Sequence, residues 1–327
     1  MLSIPYSRYI FYPIPWYSVL IVLGTAIAVI LAAREEKRVG LKKDTVIDLA
    51  LWVLPIGIIG ARVYYVVFSW DQFRSDLLSV FRIWEGGIAI YGAVISGFLA
   101  LLLFCRHRKL SLLLLCDLIA PGLVLAQSIG RWGNYFNMEA YGLSMEKPSL
   151  CFFPLAVQIY ENGIYVWHMA TFFYESLWDL IIFCFLILAR RKILFRQGDV
   201  FSFYLFLYAA GRFIIEDLRM DSLYTSSSIR VSQLLSAIIC LLVFLRYLHL
   251  ANNNGSSKKF VYVIFTTIAL ISSAFQIFYA LFASTFSKIS FMTRFALLSA
   301  SSVLLILSLF NVCPFISQEV RNAHDEI

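Results

Sequence analysis

Charge is scarce in this chain. Only 14% of its 327 residues are Asp, Glu, Lys or Arg, against 61% hydrophobic ones, and a soluble fold of this length cannot bury so much apolar surface. Cysteine is present without a pattern: Cys105, Cys116, Cys184, Cys240 and Cys313 lie in or beside apolar runs, and Cys151 stands alone in a more polar stretch. That arrangement implies neither a disulfide framework nor a thiolate metal site. The four histidines, His107, His168, His249 and His324, contain no i, i+4 pair, so no zinc site is expected, nor any other cofactor. The alternation of an outer-membrane barrel is absent, which excludes that class. So is any internal repeat, which argues against transporters built on inverted repeats. No basic stretch precedes the first apolar run and no small-residue cleavage site follows it, so it reads as a retained anchor rather than a removed signal peptide.

What the chain does have is a series of apolar runs of about 20 residues, each long enough to cross a hydrocarbon core of ~30 Å as a helix. They fall at 16–33, 46–68, 87–105, 110–129, 172–189, 200–217, 231–245, 260–283 and 291–313. The fold class is therefore an all-α polytopic membrane protein with about nine transmembrane helices. The net charge of +7 is confined mainly to alternate loops. One holds Arg34, Lys37, Arg38, Lys42 and Lys43; the next Arg106, Arg108 and Lys109; later ones Arg190, Arg191, Lys192 and Arg196, then Arg246, Lys258 and Lys259. By the positive-inside rule these loops are cytoplasmic, which places the N-terminus outside and the C-terminus inside and removes nucleic acid as a partner.

One long connection, 131–171, is dense in aromatics, among them Trp132, Tyr135, Phe153 and Trp167. Rings at this density favour the headgroup zone, so a small head domain on the outer surface is expected there. The organisation that follows is a membrane core over 1–250 including that head loop, a polar cytoplasmic linker over 251–259, two further helices over 260–313 and a cytoplasmic tail over 314–327. The last two helices carry only Lys288 and Arg294 near their outer turn, and the sequence assigns them no chemistry.

Polar residues at the edge of a bilayer are costly unless paired or used, which draws attention to Gly130–Gly142, GRWGNYFNMEAYG. It sets Arg131, Asn134, Asn137 and Glu139 directly after the fourth apolar run. In the sixth run, RFIIEDLR puts Arg212 and Glu216 on one helix face with Arg219 a turn further on. At ~1.5 Å per residue from Asp199, Arg212 stands about 20 Å from the cytoplasmic side, in the outer half of the bilayer. A structural ion pair is one reading of Arg212 and Glu216. The other joins Arg212 with Arg131 in a clamp for a phosphate.

Arg62, in GARVYY, lies deep enough to demand a partner, with Glu139, Glu175 or Asp117 as candidates. Gly57, Gly60, Gly92 and Gly97 read as close helix-packing positions. Tyr91, flanked by Gly86, Gly87 and Gly92, reads either as an interfacial anchor or as a hydroxyl with backbone clearance for a substrate. Trp16 and Tyr17 open the first run as an aromatic belt. Tyr174 and Glu175 sit at the outer end of the fifth, where helix capping alone would also favour a carboxylate.

GRWGNYFNMEAYG resembles the G-R-x-G-N-[FY]-x-N-x-E-x-x-G motif of the prolipoprotein diacylglyceryl transferase family. In chain order the resemblance is supported by Trp16-Tyr17, IIGARVYY around Arg62, the glycine-rich segment bearing Tyr91, Tyr174-Glu175-Ser176, and Arg212 with Glu216. It covers roughly residues 14 to 245 and implies a seven-helix core, so the last two helices are additional. It further implies transfer of a diacylglyceryl group from phosphatidylglycerol to the lipobox cysteine of a prolipoprotein signal peptide, giving a thioether and releasing glycerol phosphate. Arg131 would bind the headgroup, Asn134, Asn137, Glu139 and Gly142 would shape the site, and Tyr17, Arg62, Tyr174 and Glu175 would contact substrate. Arg212 and Glu216 match the second essential cluster.

The chain departs from the family pattern where Tyr91 replaces a frequent histidine, and where Met169-Ala170 replaces a His-Pro pair, with His168 displaced by one. Tyrosine, with a pKa of ~10, is a poor base at neutral pH. The expectation is therefore that Tyr91 orients the thiol or a phosphate oxygen while Glu216 or Glu139 takes the proton. A membrane transporter and a catalytically silent lipid-binding relative are the alternatives.

Overall fold

The computed structural model describes residues 7–192, 196–220, 230–252, 259–282 and 290–325. Among them the chain is helical apart from two short hairpins. Strands β1 (Tyr9–Phe11) and β2 (Ile14–Pro15) lead into α1 (Trp16–Glu35), followed by α2 (Thr45–Phe68), the single-turn α3 (Trp70–Phe73), α4 (Ile90–Arg108) and α5 (Leu112–Asn137). The second hairpin, β3 (Ala156–Glu161) and β4 (Ile164–Met169), precedes α6 (Thr171–Lys192), α7 (Asp199–Leu218), α8 (Val231–Asn252), α9 (Lys259–Leu281) and α10 (Phe291–Asp325).

Seven of these helices are long and apolar enough to cross a membrane: α1, α2, α4, α5, α6, α8 and α10. The two that separate this from the expected nine are α7 and α9. Helix α7 stands where expected but carries Asp199, Arg212, Glu216 and Asp217, all but Arg212 buried inside the protein. In α9 the described apolar part is only Thr266–Leu281. Helix α5 runs to Asn137, eight residues past the expected end, because the motif that follows its apolar part continues the helix. Arg131 and Asn134 are therefore helical rather than beyond the helix. Helix α10 likewise continues to Asp325, through the stretch expected as a tail. Of the linker expected over 251–259, residues 251–252 end α8 and 259 begins α9, while 253–258 lie outside the described residues.

The chain separates into two compact units, 1–25 with 123–327, and 26–122. In the second unit α2 and α4 pack through their glycines: a Cβ on Gly92 would lie 2.4 Å from the Gly60 carbonyl, and one on Gly60 would strike the Ser96 side chain. Glu36 caps α2 by accepting from the backbone N–H groups of Asp44 and Val46. Arg62 finds no carboxylate here. Its Nε donates to Val80 O at 2.8 Å, Nη1 to Gly86 O and Gly87 O at 2.6 and 2.8 Å, and Nη2 to Ser79 O and Arg82 O at 2.6 and 3.3 Å. All five donors of the guanidinium are thereby engaged with backbone.

The segment they gather presents Leu78, Phe81 and Trp84 outward, each at least 70% exposed, as an amphipathic strap suited to an interface. Gly86 and Gly87 hold φ of +94° and +74°, which only glycine adopts without strain, and a Cβ on Gly87 would lie 2.6 Å from Arg62 Nη1. Gly87 thus shapes the carbonyl cage around Arg62, and Gly92 serves the α2 contact.

In the first unit, α1 lies along α5 where a Cβ on Gly24 would approach Ala126 within 3.1 Å and one on Gly133 would strike the Tyr17 ring. Helices α5 and α6 exchange hydroxyl bonds, Ser128 Oγ to Ser176 O at 2.8 Å and Ser176 Oγ to Ser128 O at 2.9 Å. Helix α6 reaches α7 through Trp178, whose indole N–H donates to Leu207 O at 2.9 Å over Gly211. The β3–β4 hairpin buries Val157 and Ile159 against Tyr135 of α5 and Phe172 of α6, with Trp132 packed on the cluster. That aromatic packing fixes the end of α5 against the start of α6.

Replacing Arg62 by methionine should leave buried carbonyls unsatisfied and cost about 3 kcal/mol or more. The expected signature is a lower unfolding temperature in detergent together with faster tryptic cleavage after Arg74 and Arg82. Unchanged cleavage would mean the strap is held by other contacts.

Candidate active site

Three helix ends in the first unit bring the charged residues together: the last turns of α5, the first turns of α6 and the last turns of α7. Glu175 is at their centre, with its side chain only 5% exposed. Its Oε2 lies 2.6 Å from Arg131 Nη2 of α5. Its Oε1 pairs closely with Arg212 Nη1 of α7 and stands 3.6 Å from Arg219 Nη1 just beyond it. Arg212 bridges onward, Nη2 to Glu216 Oε2 at 2.6 Å, across one turn of the same helix. The ion pair expected of Arg212 and Glu216 is present, and Arg212 is also aimed at the same carboxylate as Arg131.

The helix spacing explains the convergence. Tyr208 precedes Arg212 by four residues on α7, and its hydroxyl bonds to Arg131. Asp179 follows Glu175 by four on α6, is 1% exposed, and faces Arg131 and Arg212 electrostatically. One of its carboxylate oxygens accepts no hydrogen bond among the described residues. The sequence pattern does not single out Asp179 or Tyr208, although the i, i+4 relation to Glu175 and Arg212 is legible there. Arg219 is legible in RFIIEDLR, but its turn toward Glu175 depends on the strand-like geometry at the end of α7.

That geometry comes from the close of the motif. Gly142 pairs with Arg219 in an antiparallel bridge, Leu143 N donates to Leu218 O at 2.9 Å, and Gly142 N donates to Met169 O at 2.9 Å. A Cβ on Gly142 would lie 2.8 Å from both Met169 Cβ and Thr171 Cγ2 and 2.9 Å from Leu218 O, so no side chain fits. His168, one residue before the position where the family pattern has histidine, is buried, with Nδ1 donating to Gly142 O at 2.9 Å and its ring against Tyr141. Thr171 Oγ1 donates to Ala140 O at 2.6 Å. The segment between α5 and Gly142 is therefore tied to α6, α7 and the hairpin at once.

The remaining expected residues distribute unevenly. Tyr17 lies over Gly133 and interacts electrostatically with Arg131 and Glu139, beside the cluster. Glu139 is exposed, its backbone N–H turned back to Asn134 O at 2.9 Å. Asn137 has a buried side-chain oxygen that accepts no hydrogen bond among the described residues. Tyr174 turns away from the cluster, its hydroxyl donating to Leu155 O and its ring packing on the hairpin core. Arg62 and Tyr91 belong to the second unit, where Arg62 is engaged with five carbonyls and Tyr91 occupies the first turn of α4.

A guanidinium has five N–H donors, and the described contacts of Arg131, to Glu175 and Tyr208, leave part of its fork for an anion. Two arginines on facing helices, held by a shared carboxylate, bring together forks of the kind that match phosphate geometry. Residues 6–249 match the family model for prolipoprotein diacylglyceryl transferase. The chain belongs to this family. It is 49% identical over 232 residues to the phosphatidylglycerol–prolipoprotein diacylglyceryl transferase of Limosilactobacillus reuteri (strain DSM 20016), covering 69% of this chain and 83% of that one. The corresponding protein of Enterococcus faecalis (strain ATCC 700802 / V583) is 48% identical with the same coverage. That of Lactiplantibacillus plantarum (strain ATCC BAA-793 / NCIMB 8826 / WCFS1) is 43% identical over 263 residues, 75% of this chain and 91% of its own. The family match ends close to the end of α8, so α9 and α10 lie beyond it.

Glu175→Gln should destabilise the protein by about 3–5 kcal/mol, the usual cost of breaking a buried pair from one side. Thermal unfolding in micelles would show it, and a loss below about 1 kcal/mol would mean the arginines do not depend on this carboxylate.

Proposed function

We propose that this chain transfers the diacylglyceryl group of phosphatidylglycerol to the lipobox cysteine of a prolipoprotein, forming a thioether and releasing glycerol phosphate. Family membership and the names of its relatives support the activity. The observation that supports the site is the meeting of Arg131 and Arg212 on Glu175. In this reading the protein is a multi-pass bacterial membrane enzyme with nine spans, α7 crossing inside the bundle. The 138–170 segment is a head on the outer surface, the N-terminus is outside and the C-terminus is cytoplasmic. The segregation of basic residues into alternate loops supports that orientation.

The chemistry follows from the charge arrangement. The cysteine sulfur attacks the glycerol carbon bearing the phosphate ester, the C–S bond forms, the C–O bond breaks, and the electron pair leaves on the phosphate oxygen. Free cysteine has a pKa of ~8.5, so the thiol proton needs an acceptor as attack proceeds. Arg131 and Arg212 stabilise the charge that grows on the departing phosphate. In this reading Glu216, buried beside Arg212, or Glu139, exposed beside Tyr17, takes the proton. Asn137, whose buried oxygen accepts no hydrogen bond among the described residues, accepts from a substrate hydroxyl, and Asn134 and Gly142 set the shape of the turn. Tyr91 orients the thiol or a phosphate oxygen. Tyr174, whose hydroxyl donates to backbone, supports the hairpin beside the cluster, and Arg62 holds the strap of its own unit.

Purified protein in phosphatidylglycerol-containing micelles with a lipobox peptide should give a diacylglyceryl thioether adduct by mass spectrometry, and Arg131→Ala should abolish it. A well-folded wild-type protein that yields no adduct across several lipids and peptides would favour the silent lipid-binding relative. Of Glu139→Gln and Glu216→Gln, at least one should lose about 10²-fold or more in turnover, as expected for loss of a general base. Full activity in both would remove the carboxylate-base step. Tyr91→Phe should lower turnover while leaving unfolding unchanged, and retained activity would take its hydroxyl out of the mechanism.

A further inference from the structure

Glu216 and Asp217 are adjacent on α7 and point to opposite tasks. Glu216 faces Arg212 and the Glu175 cluster. About 100° around the helix, Asp217 faces the helices beyond it. Its side chain is 1% exposed, and three groups converge on Oδ1: Arg230 Nη1 at 2.6 Å, the Tyr279 hydroxyl at 3.0 Å and Arg294 Nη1 at 3.6 Å. Arg230 lies just before α8 and also reaches Glu216 O at 3.5 Å. Tyr279 belongs to α9 and Arg294 to α10, the two helices beyond the family match. Around this polar centre Phe213 of α7 is sealed by Ala237 of α8, Tyr279 and Ala280 of α9, and Leu298 of α10, while Gln233 Nε2 donates to Phe213 O at 3.1 Å. Arg294, to which the sequence assigns no chemistry, is thus part of a buried network one residue away from the candidate active site.

We propose that α9 and α10 act on the reaction by holding Asp217: Tyr279 and Arg294 are positioning residues that fix the rotation of the last turn of α7, and thereby the placement of Glu216 and Arg212. A helix turn has one rotational setting, so a carboxylate pinned on one face sets where the neighbouring carboxylate points on the other. Each partner comes from a different helix, and losing one leaves Asp217 under-compensated in a dry environment. A misplacement of about 1 Å at a reacting group is enough to cost up to ~10²-fold in rate.

This rests on the reading that Arg212 and Glu216 serve the reaction, and the experiment separates the two. Full-length Tyr279→Phe, Arg294→Gln and Arg294→Lys are compared with wild type and Glu216→Gln. Initial rates are measured against phosphatidylglycerol concentration, well below each unfolding midpoint and normalised to folded protein. Tyr279→Phe removes one hydroxyl from a packed ring and should fold. The expected result for Tyr279→Phe and Arg294→Gln is a fall in kcat of about tenfold with KM within a factor of about two, and Arg294→Lys should recover most of the rate. If both variants keep wild-type kcat while Glu216→Gln is strongly impaired, the positioning role is wrong and the two helices only stabilise the bundle. A rate loss that disappears on normalising to folded protein has the same meaning. Full activity in Glu216→Gln would instead show that the underlying site reading has failed.

Discussion

The arrangement depends on one buried carboxylate. Glu175 meets Arg131, Arg212 and Arg219, each from a different segment, and no other described group pairs with all three. Two unit charges of the same sign roughly 5 Å apart repel by about 3 kcal/mol at an effective dielectric near 20, so three guanidiniums at one place require a counter-charge. Glu175 supplies it at the point where α5, α6 and α7 end or begin. The surrounding features serve to keep it there: the serine exchange between α5 and α6, the Trp178 contact between α6 and α7, and the aromatic core under the hairpin.

The same constraint explains why α7 is not among the apolar spanning helices although it follows them in the series. It lies with its charged residues buried against neighbours, Arg212 and Glu216 toward Glu175, Asp217 toward Arg230, and Asp199 bonded to Arg246 and Tyr247 near its start. A helix that satisfies its polar residues inside protein does not need an apolar surface on every side, which is how ionisable groups persist at membrane depth.

Much of this was legible in the sequence, and the limits have physical reasons. Helices stand where the apolar runs lie, because run length reports the hydrocarbon thickness, but only seven among the described residues are long and apolar enough to span. The pairing of Arg212 with Glu216 follows from helix periodicity and its approach to Arg131 from the motif, whereas Glu175 as their shared carboxylate was not legible, the sequence offering it as a helix cap or a partner for Arg62. The end of α5 was not legible: GRWGNYFN looks like a loop by hydropathy, but its polar side chains face inward and the helix continues. Arg62 illustrates a different limit. Charge pairing suggests a carboxylate partner, whereas the fold supplies five carbonyls from a strap distant in sequence, and backbone acceptors leave no signal in residue identity. Arg294 was passed over for a related reason, since its partner Asp217 lies far away in sequence and only packing brings them together.

In the proposed reaction, the paired state of the arginines bears on how the cluster would favour reaction over binding. A phosphatidylglycerol phosphodiester carries one negative charge, and the departing glycerol phosphate acquires a second as the C–O bond breaks. Bare guanidiniums would hold the ground state tightly and gain little further. With Glu175 and Glu216 already facing them, the net field on the substrate is tempered. The attraction therefore weighs most on the charge that develops during bond breaking. Interactions stronger in the transition state than in the ground state are those that raise turnover. Because Arg131 and Arg212 are oriented before substrate arrives, little reorganisation is required at that moment. A buried carboxylate that seems to consume the arginines is, on this argument, what allows them to discriminate between the two states.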